Sequence, residues 1–279
     1  MNDSIKPDAA ALPDDRRSLA GRVAFVAGAG ASGPGWSIGK ACCVRLANRG
    51  ASIVTLDRTA EAAEDATQAV IAAGGTALPV VADVADPSSM EAAVDTALAR
   101  LGRIDILVAN AGVGRTGGPE DTTLDDWRRA QQVNVDGLLI ASRLILPSMR
   151  ARGSGAIVTV ASVAGIRYVG YPHLSYSVSK AAVIHFTRML AQQYAADGIR
   201  ANCVVPGLID TPRIRHTVAD RFAADFESAR RARDQQVPMQ RMGTAWEVAD
   251  AIAFLASDEA SYVTGTELVV DGGLTGKYA

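Results

Sequence analysis

The 279-residue chain is poor in cysteine, holding only Cys42, Cys43 and Cys203, and the first two are adjacent and badly placed to bridge each other. No Cys or His spacing typical of a metal site occurs, so neither a disulfide scaffold nor a metal centre is expected, and the default compartment is the reducing cytoplasm. No apolar run is long enough to span a bilayer, and the opening residues MNDSIKPDAAALPDD carry no apolar signal core, so no membrane association and no secretion are expected. An excess of one charge is missing as well. With 28 basic against 30 acidic residues, a net charge of −2 and a pI near 5.9, the chain has no electrostatic footprint for nucleic acid or an anionic membrane. Internal repeats and Pro/Ser-rich linkers are also lacking, which favours one domain over residues 19–279 behind a flexible tail over residues 1–18. Lysine is scarce: Lys6, Lys40, Lys180 and Lys277 are the only four, and arginine supplies the remaining positive charge.

What is present is an alternation of short β-branched apolar runs with longer amphipathic ones. Strands are predicted near 22–27, 52–56, 77–81, 105–109, 155–160, 200–204 and 266–270. Helices are predicted over 37–49, 59–73, 87–101, 124–150, 174–196 and 246–256. This pattern is that of an α/β fold, a doubly wound sheet of about seven parallel strands with helices on both faces.

The scarcity of lysine draws attention to Tyr176 and Lys180, which lie four apart in the predicted helix 174–196 and therefore on one face. A phenol titrates near pH 10, and a neighbouring ammonium lowers that value by favouring the phenolate. Lysine suits this role better than arginine, because an ammonium is a compact point charge whose own pKa can shift. With Ser162 upstream, the stretch offers a hydroxyl, a phenol and an ammonium to one proton. The alternative is an interfacial tyrosine beside a solvated lysine.

Other candidates gather at the predicted carboxyl ends of strands, where open α/β sheets bind ligands. The first strand runs into Gly28, Gly30 and Gly33, then Ser37-Ile38-Gly39 at a helix start, a turn whose backbone N–H groups can approach a pyrophosphate. Asp57 at the second strand end can accept both adenosine-ribose hydroxyls and repel a 2′-phosphate, favouring NAD over NADP, although Arg58 beside it points the other way. Asp83, followed by Val84, either meets an adenine amine or caps its turn. Asn110-Ala111-Gly112 leave room for a flat ring system.

On the Gly-rich turn 28–39, Asp57, Asp83, Asn110-Ala-Gly112, Asn134, Ser162, Tyr176-x-x-x-Lys180, Pro206-Gly207 with Thr211, and Gly265 with Asp271-Gly-Gly273, the chain resembles the short-chain dehydrogenases/reductases over residues 19–273. The resemblance implies a Rossmann-type single domain and an NAD(P)-dependent oxidoreductase acting on a small-molecule alcohol or ketone. It implies the tetrad Asn134, Ser162, Tyr176 and Lys180: Ser162 on the substrate oxygen, Tyr176 exchanging the proton, Lys180 holding the cofactor ribose and lowering the tyrosine pKa, and Asn134 anchoring a proton-relay water. Val84, Ile209 and Thr211 join the cofactor set, and a homotetramer is implied, with helices 124–150 and 174–196 as dimer faces. Ala27 replaces the family's usual threonine, Ser37 replaces its middle glycine in a longer turn, and Ser162 stands one residue further from the tyrosine than is commonest.

Two other functions stay open. The long Ser-Ile-Gly turn also resembles the enoyl-thioester reductases, whose tyrosine and lysine are separated by seven; here that position is His173. A non-catalytic NAD-binding regulator is the other. Residues 212–241 are expected to form a substrate lid, rich in Arg213, Arg215, Arg221, Arg230, Arg231, Arg233 and Arg241. Arg213 or Arg215 would recognise a substrate anion, or the lid merely carries a solvated charged face. Tyr168, Tyr171 and His173 on the facing loop would equally suit an uncharged ring. His185 and His216 are read as structural, Trp127 and Trp246 as packing residues, and Trp36 as a cofactor shield or filler.

Overall fold

A computed structural model describes residues 15–214 and 226–277. Seven parallel strands form the central sheet: β1 (Val23–Ala27), β2 (Ser52–Asp57), β3 (Thr76–Val81), β4 (Ile106–Ala109), β5 (Gly155–Val160), β6 (Ile199–Pro206) and, after the short pair described below, β9 (Glu267–Val270). Their order is β3-β2-β1-β4-β5-β6-β9, with every pairing parallel. The order reverses between β1 and β4, which opens the crevice where such sheets bind ligands.

Alternation along β1 feeds two cores. Ala24 and Val26 pack into one with α1 (Ile38–Ala47) and a late helix, residues 245–256. Val23, Phe25 and Ala27 pack into the other, which includes residues of α3 (Pro87–Leu101) and of the segment after Gln131. The helix α2 (Ala60–Ala72) begins on a Thr59 cap, and α3 on an Asp86 cap followed by Pro87, whose missing N–H is no loss in a first turn. The three cysteines are buried and free, and burial pushes their thiols up.

The predicted helix 124–150 is divided. It comprises α4 (Leu124–Gln131), a π-helical turn at Gln132–Asp136 and α5 (Gly137–Arg152). The helix α6 (Leu174–Tyr194) matches its prediction closely, but Val178 and Met189 on it are exposed. Within residues 212–241, Pro212–Ile214 are helical and α7 covers Phe226–Gln236. The flanks of this segment carry a two-stranded parallel pair, β7 (Ile209–Asp210) with β8 (Gly243–Thr244), and then α8 (Ala245–Ala256). Of the expected N-terminal tail, residues 1–14 lie outside the described residues. Arg16 bonds the Asp258 carbonyl at 2.8 Å and Arg17 pairs with Glu259 at 3.0 Å. Among the described residues no helix is long and apolar enough to cross a membrane, and no cluster of three or more His, Cys, Asp or Glu could hold a metal ion.

Candidate active site

The end of β5 and the first turns of α6 bring Ser162, Tyr176 and Lys180 together. Ser162 caps the 3-10 turn Val163–Gly165, its Oγ accepting from the Ala164 N–H at 3.2 Å. One helical turn separates Tyr176 from Lys180, and Lys180 Nζ lies 5.7 Å from the phenol ring centroid. Lys180 is 3% exposed and donates to the Val160 carbonyl at 2.7 Å, which fixes its ammonium at the strand end. Burial holds its pKa below the usual lysine value, an effect the Tyr176 oxygen opposes. Burial would raise the Tyr176 phenol. Arg213, then Lys180, and a hydrogen bond from Ser162 together outweigh that and hold it below the ordinary value.

Asn134 sits in the π-helical turn, a feature that often marks function because it re-aims a side chain out of the regular helical register. Its amide makes three of its four possible hydrogen bonds: Oδ1 accepts from Val113 N at 2.8 Å, and Nδ2 donates to Val113 O at 2.9 Å and Ser179 Oγ at 2.7 Å. Ser179 in turn donates to the Tyr176 carbonyl at 2.8 Å. Asn134 therefore clamps the loop after β4 to α6. A Cβ on Gly112 would come within 3.1 Å of Lys180 Nζ and 3.5 Å of Asn134 Oδ1, so glycine is what lets this loop approach both. Sequence reading missed Ser179; its place three residues after Tyr176, within reach of the preceding turn's carbonyl, was the available signal.

The neighbouring crevice holds the remaining candidates. Gly28 has φ +79°, and a side chain there would strike Ala111 N at 2.6 Å. A Cβ on Gly39 would lie 2.0 Å from the Gly28 carbonyl, so helix and turn pack backbone to backbone. Ser37 caps α1 by accepting from Lys40 N at 3.0 Å and donates to the Gly30 carbonyl at 2.7 Å. The residue in place of a glycine thus ties the long turn to its helix. Asp57 accepts from Gly30 N at 2.9 Å and Arg58 N at 2.7 Å. Asp83 accepts from Ala85 N at 2.9 Å and pairs with Arg129 at 3.0 Å; burial raises its carboxyl, but these contacts bring it below the usual value. Asn110 donates to the Gly28 carbonyl at 2.6 Å, bracing the turn against β4. Gly207 packs on Asp271, leading from Pro206 to Ile209 and Thr211.

Two cavities meet here. One of about 530 Å³ is lined by Ser162, Tyr176, Lys180, Pro206, Gly207 and Ile209, and one of about 470 Å³ by Gly28, Gly30, Ser37, Asp57, Arg58, Asp83, Val84, Ala111 and Gly112. Ile38, Asn110, Thr211 and Arg213 line both. A glycine turn at a helix N-terminus, a strand-end carboxylate and a second chamber with a titratable triad fit a dinucleotide laid across the crevice.

Other expectations resolve differently. Trp36 packs against Trp246 with the rings tilted at 52° and centroids 4.6 Å apart, and lines neither cavity. Tyr171 and His173 line the first cavity, and His173 stacks on Tyr176 at 4.5 Å; Tyr168 is exposed and does not line it. His185 is exposed, while Arg215 and His216 lie outside the described residues.

Residues 33–275 match the family described as Enoyl-(Acyl carrier protein) reductase. The chain is 44% identical to the cis-4-hydroxycyclohexanecarboxylate dehydrogenase of Sinomonas cyclohexanicum, over 92% of this chain and 98% of that one. A short-chain dehydrogenase/reductase structure from Burkholderia xenovorans superposes with a TM-score of 0.90 at 41% identity, covering 94% of this chain and 99% of its own. A 7α-hydroxysteroid dehydrogenase complexed with NADH and 7-oxo glycochenodeoxycholic acid has a TM-score of 0.84 at 34% identity, covering 94% and 97%; a gluconate 5-dehydrogenase structure holds NADP. All four are named as dehydrogenases or dehydrogenase/reductases, and the last two hold nicotinamide cofactors, NADH in one and NADP in the other. In sequence, sheet order and the arrangement of its crevice alike, this chain belongs to the short-chain dehydrogenase/reductase family.

Proposed function

We propose that the protein is an NAD-dependent dehydrogenase that oxidises a secondary alcohol to a ketone, with the reverse reduction available. The observation that carries this reading is the Tyr176 phenol, held below its usual pKa by Arg213, Lys180 and Ser162 against burial, at the cavity that continues into the glycine-lined crevice.

The nicotinamide of bound NAD supplies the hydride acceptor. Ser162 donates a hydrogen bond to the substrate oxygen and so fixes the carbinol near the phenol. Tyr176 takes the hydroxyl proton as the carbonyl forms, and returns one in the reduction. Lys180 stabilises the phenolate and binds the cofactor ribose. Asn134 holds the Val113 loop and Ser179 in place around Lys180 and anchors the water that relays protons to solvent. Asp57 takes the adenosine ribose hydroxyls and disfavours a 2′-phosphate, which is the basis for NAD over NADP. Thr211 and the Ile209 backbone orient the nicotinamide amide.

We further read the chain as one domain with a substrate lid over 212–241, cytoplasmic, and a homotetramer. Leu139, Val178 and Met189 leave exposed apolar surface on α5 and α6, which supports a dimer face there. Sedimentation at micromolar concentration checks the assembly, and a monomer contradicts it.

The family description raises the rival C=C reduction, an enoyl-thioester reductase. Its seven-residue spacing puts His173 where a tyrosine is needed, and His173 is spent stacking on Tyr176. The deciding assay offers NAD with a panel of secondary alcohols and NADH with an enoyl thioester. NADH formation from the alcohols supports dehydrogenation; turnover of the thioester alone supports the rival; turnover of neither leaves a cofactor-binding regulator.

A further inference from the structure

Arg233 differs from the other arginines of α7. Arg230 is exposed and pairs with Asp210 at 3.8 Å, and Arg231 is exposed and bonds Ser228 at 3.2 Å. Arg233, one turn along, is 5% exposed and lines the first cavity. It makes no hydrogen bond or ion pair with any described residue. Among the described residues its guanidinium lies over the face of Tyr171, at 5.6 Å from guanidinium carbon to ring centroid. A guanidinium remains charged at any physiological pH, and a buried charge without a partner is costly. Stacking on a tyrosine offsets a small part of that cost and leaves the five N–H donors to find acceptors elsewhere.

Among the described residues the cavity has no counter-charge. Its described lining includes Arg115, Lys180, Arg213 and Arg233 and no Asp or Glu. Three of these cations have contacts of their own: Arg115 with Asp126 at 3.2 Å, Lys180 with the Val160 carbonyl, and Arg213 with the Gly112 carbonyl at 3.1 Å. Arg233 is the one whose geometry calls for an anion from outside the chain. Its position relative to the chemistry is set by a ladder of rings. Arg233 lies over Tyr171, Tyr171 stacks on His173 at 5.6 Å, and His173 stacks on Tyr176 at 4.5 Å. Tyr176 and Arg233 line the same cavity, so one bound molecule can meet both.

Resting on the dehydrogenase reading of the same site, we propose that Arg233 binds a carboxylate on the substrate, so that the enzyme's substrates are hydroxy acids whose carbinol and carboxylate stand at opposite ends of a ring or short chain. A guanidinium presents a planar fork that matches a carboxylate in two parallel hydrogen bonds, and both would form away from bulk solvent. This assigns anion recognition to α7, where sequence reading had placed it on Arg213 or Arg215.

The test is binding by calorimetry, with NADH present, of cyclohexanecarboxylate and its neutral counterpart cyclohexanecarboxamide, neither of which can be oxidised at a carbinol. The probes are offered to the wild type, Arg233→Met and Arg233→Lys. The wild type is expected to bind the carboxylate at least about tenfold tighter than the amide, about 1.4 kcal/mol. Arg233→Met removes that ratio, and Arg233→Lys keeps part of it because the charge stays while the fork is lost. A wild type with no preference overturns the proposal. So does a preference that survives Arg233→Met, which would move the anion to another cation of the lining. A thermal melt shows whether each variant is folded; should Arg233→Met not fold, the wild-type ratio and Arg233→Lys still decide. Turnover of a neutral secondary alcohol such as cyclohexanol by the wild type is measured separately. A protein that oxidises cyclohexanol but ignores the carboxylate keeps its proposed function and loses this substrate class.

Discussion

The guanidinium carbon of Arg213 lies 5.1 Å from the ring centroid of Tyr176, nearer than Lys180 Nζ at 5.7 Å. Burial opposes ionisation of the phenol, and of the two cations Arg213 does more to overcome it. Arg213 is exposed, however, so solvent and salt screen its effect more than that of buried Lys180. Removing a cation that lowers a phenol's pKa raises that pKa, which leaves less phenolate at any given pH. In Arg213→Ala the alkaline rise of kcat/KM for alcohol oxidation should therefore move to higher pH, with a greater loss at pH 7 than at pH 9. Added salt should move the wild-type profile the same way. Profiles that coincide would remove Arg213 from the electrostatics of the site.

Asp57 sets the cofactor prediction. Its carboxylate is oriented toward the crevice by the N–H groups of Gly30 and Arg58. The wild type should show a higher kcat/KM with NAD than with NADP, and Asp57→Ala should narrow the ratio by about tenfold or more, since a charge repelling the 2′-phosphate is gone. A wild type that prefers NADP would transfer the assignment to Arg58.

Ser37 does two jobs with one hydroxyl, capping α1 and holding the Gly30 carbonyl. Loss of a helix cap costs about 1 kcal/mol. Ser37→Ala should lower stability by about that amount in denaturant unfolding. It should also raise KM for NAD more than it lowers kcat, because the turn rather than the reacting groups is loosened. A variant with reduced stability and unchanged KM would make Ser37 a cap and nothing more.

Glu247 closes a capping box with Thr244 at the start of α8. Hydrogen bonding to Arg241, then to the Thr244 N–H, holds its carboxyl down to about 2, from an ordinary 4.5. A depressed carboxyl contributes stability that is complete above its unfolded pKa and is lost as pH falls through the folded one. The melting temperature of Glu247→Gln should fall below that of the wild type at pH 7, and the gap should close as pH is lowered from 4.5 toward 2. A gap independent of pH would contradict the role of the ionised group.

The five inner strands were legible because buried parallel strands are continuous β-branched runs, as in IVTL at 53–56 and AIVTV at 156–160, and the less buried edge strands β3 and β9 showed as short apolar runs, LPVV and LVV. The two-residue strands β7 and β8 were not, since two residues carry no periodicity. Helix α7, FESARRARDQQ, was hidden by its near lack of apolar residues, and with it the burial of Arg233. The π-helical turn left no mark either, because one extra residue per turn changes hydrogen bonding without changing composition. In the site, the Tyr176–Lys180 pair could be read from spacing alone. The Asn134–Val113–Ser179 clamp and the Trp36–Trp246 contact could not, because both join residues far apart in the chain.

The account turns on the Tyr176 oxygen. The direct measurement is NADH formation from a secondary alcohol by wild type and Tyr176→Phe, alongside NADH binding followed by fluorescence. Phenylalanine keeps the ring stacked on His173 and removes the proton-transferring atom. The account predicts turnover in the wild type, a fall in kcat of at least about 100-fold in the variant, in line with general acid–base catalysis, and NADH affinity within about twofold of wild type, a change under half a kcal/mol. A variant that binds NADH normally and keeps more than about a tenth of wild-type kcat, a barrier change below 1.4 kcal/mol, would contradict it.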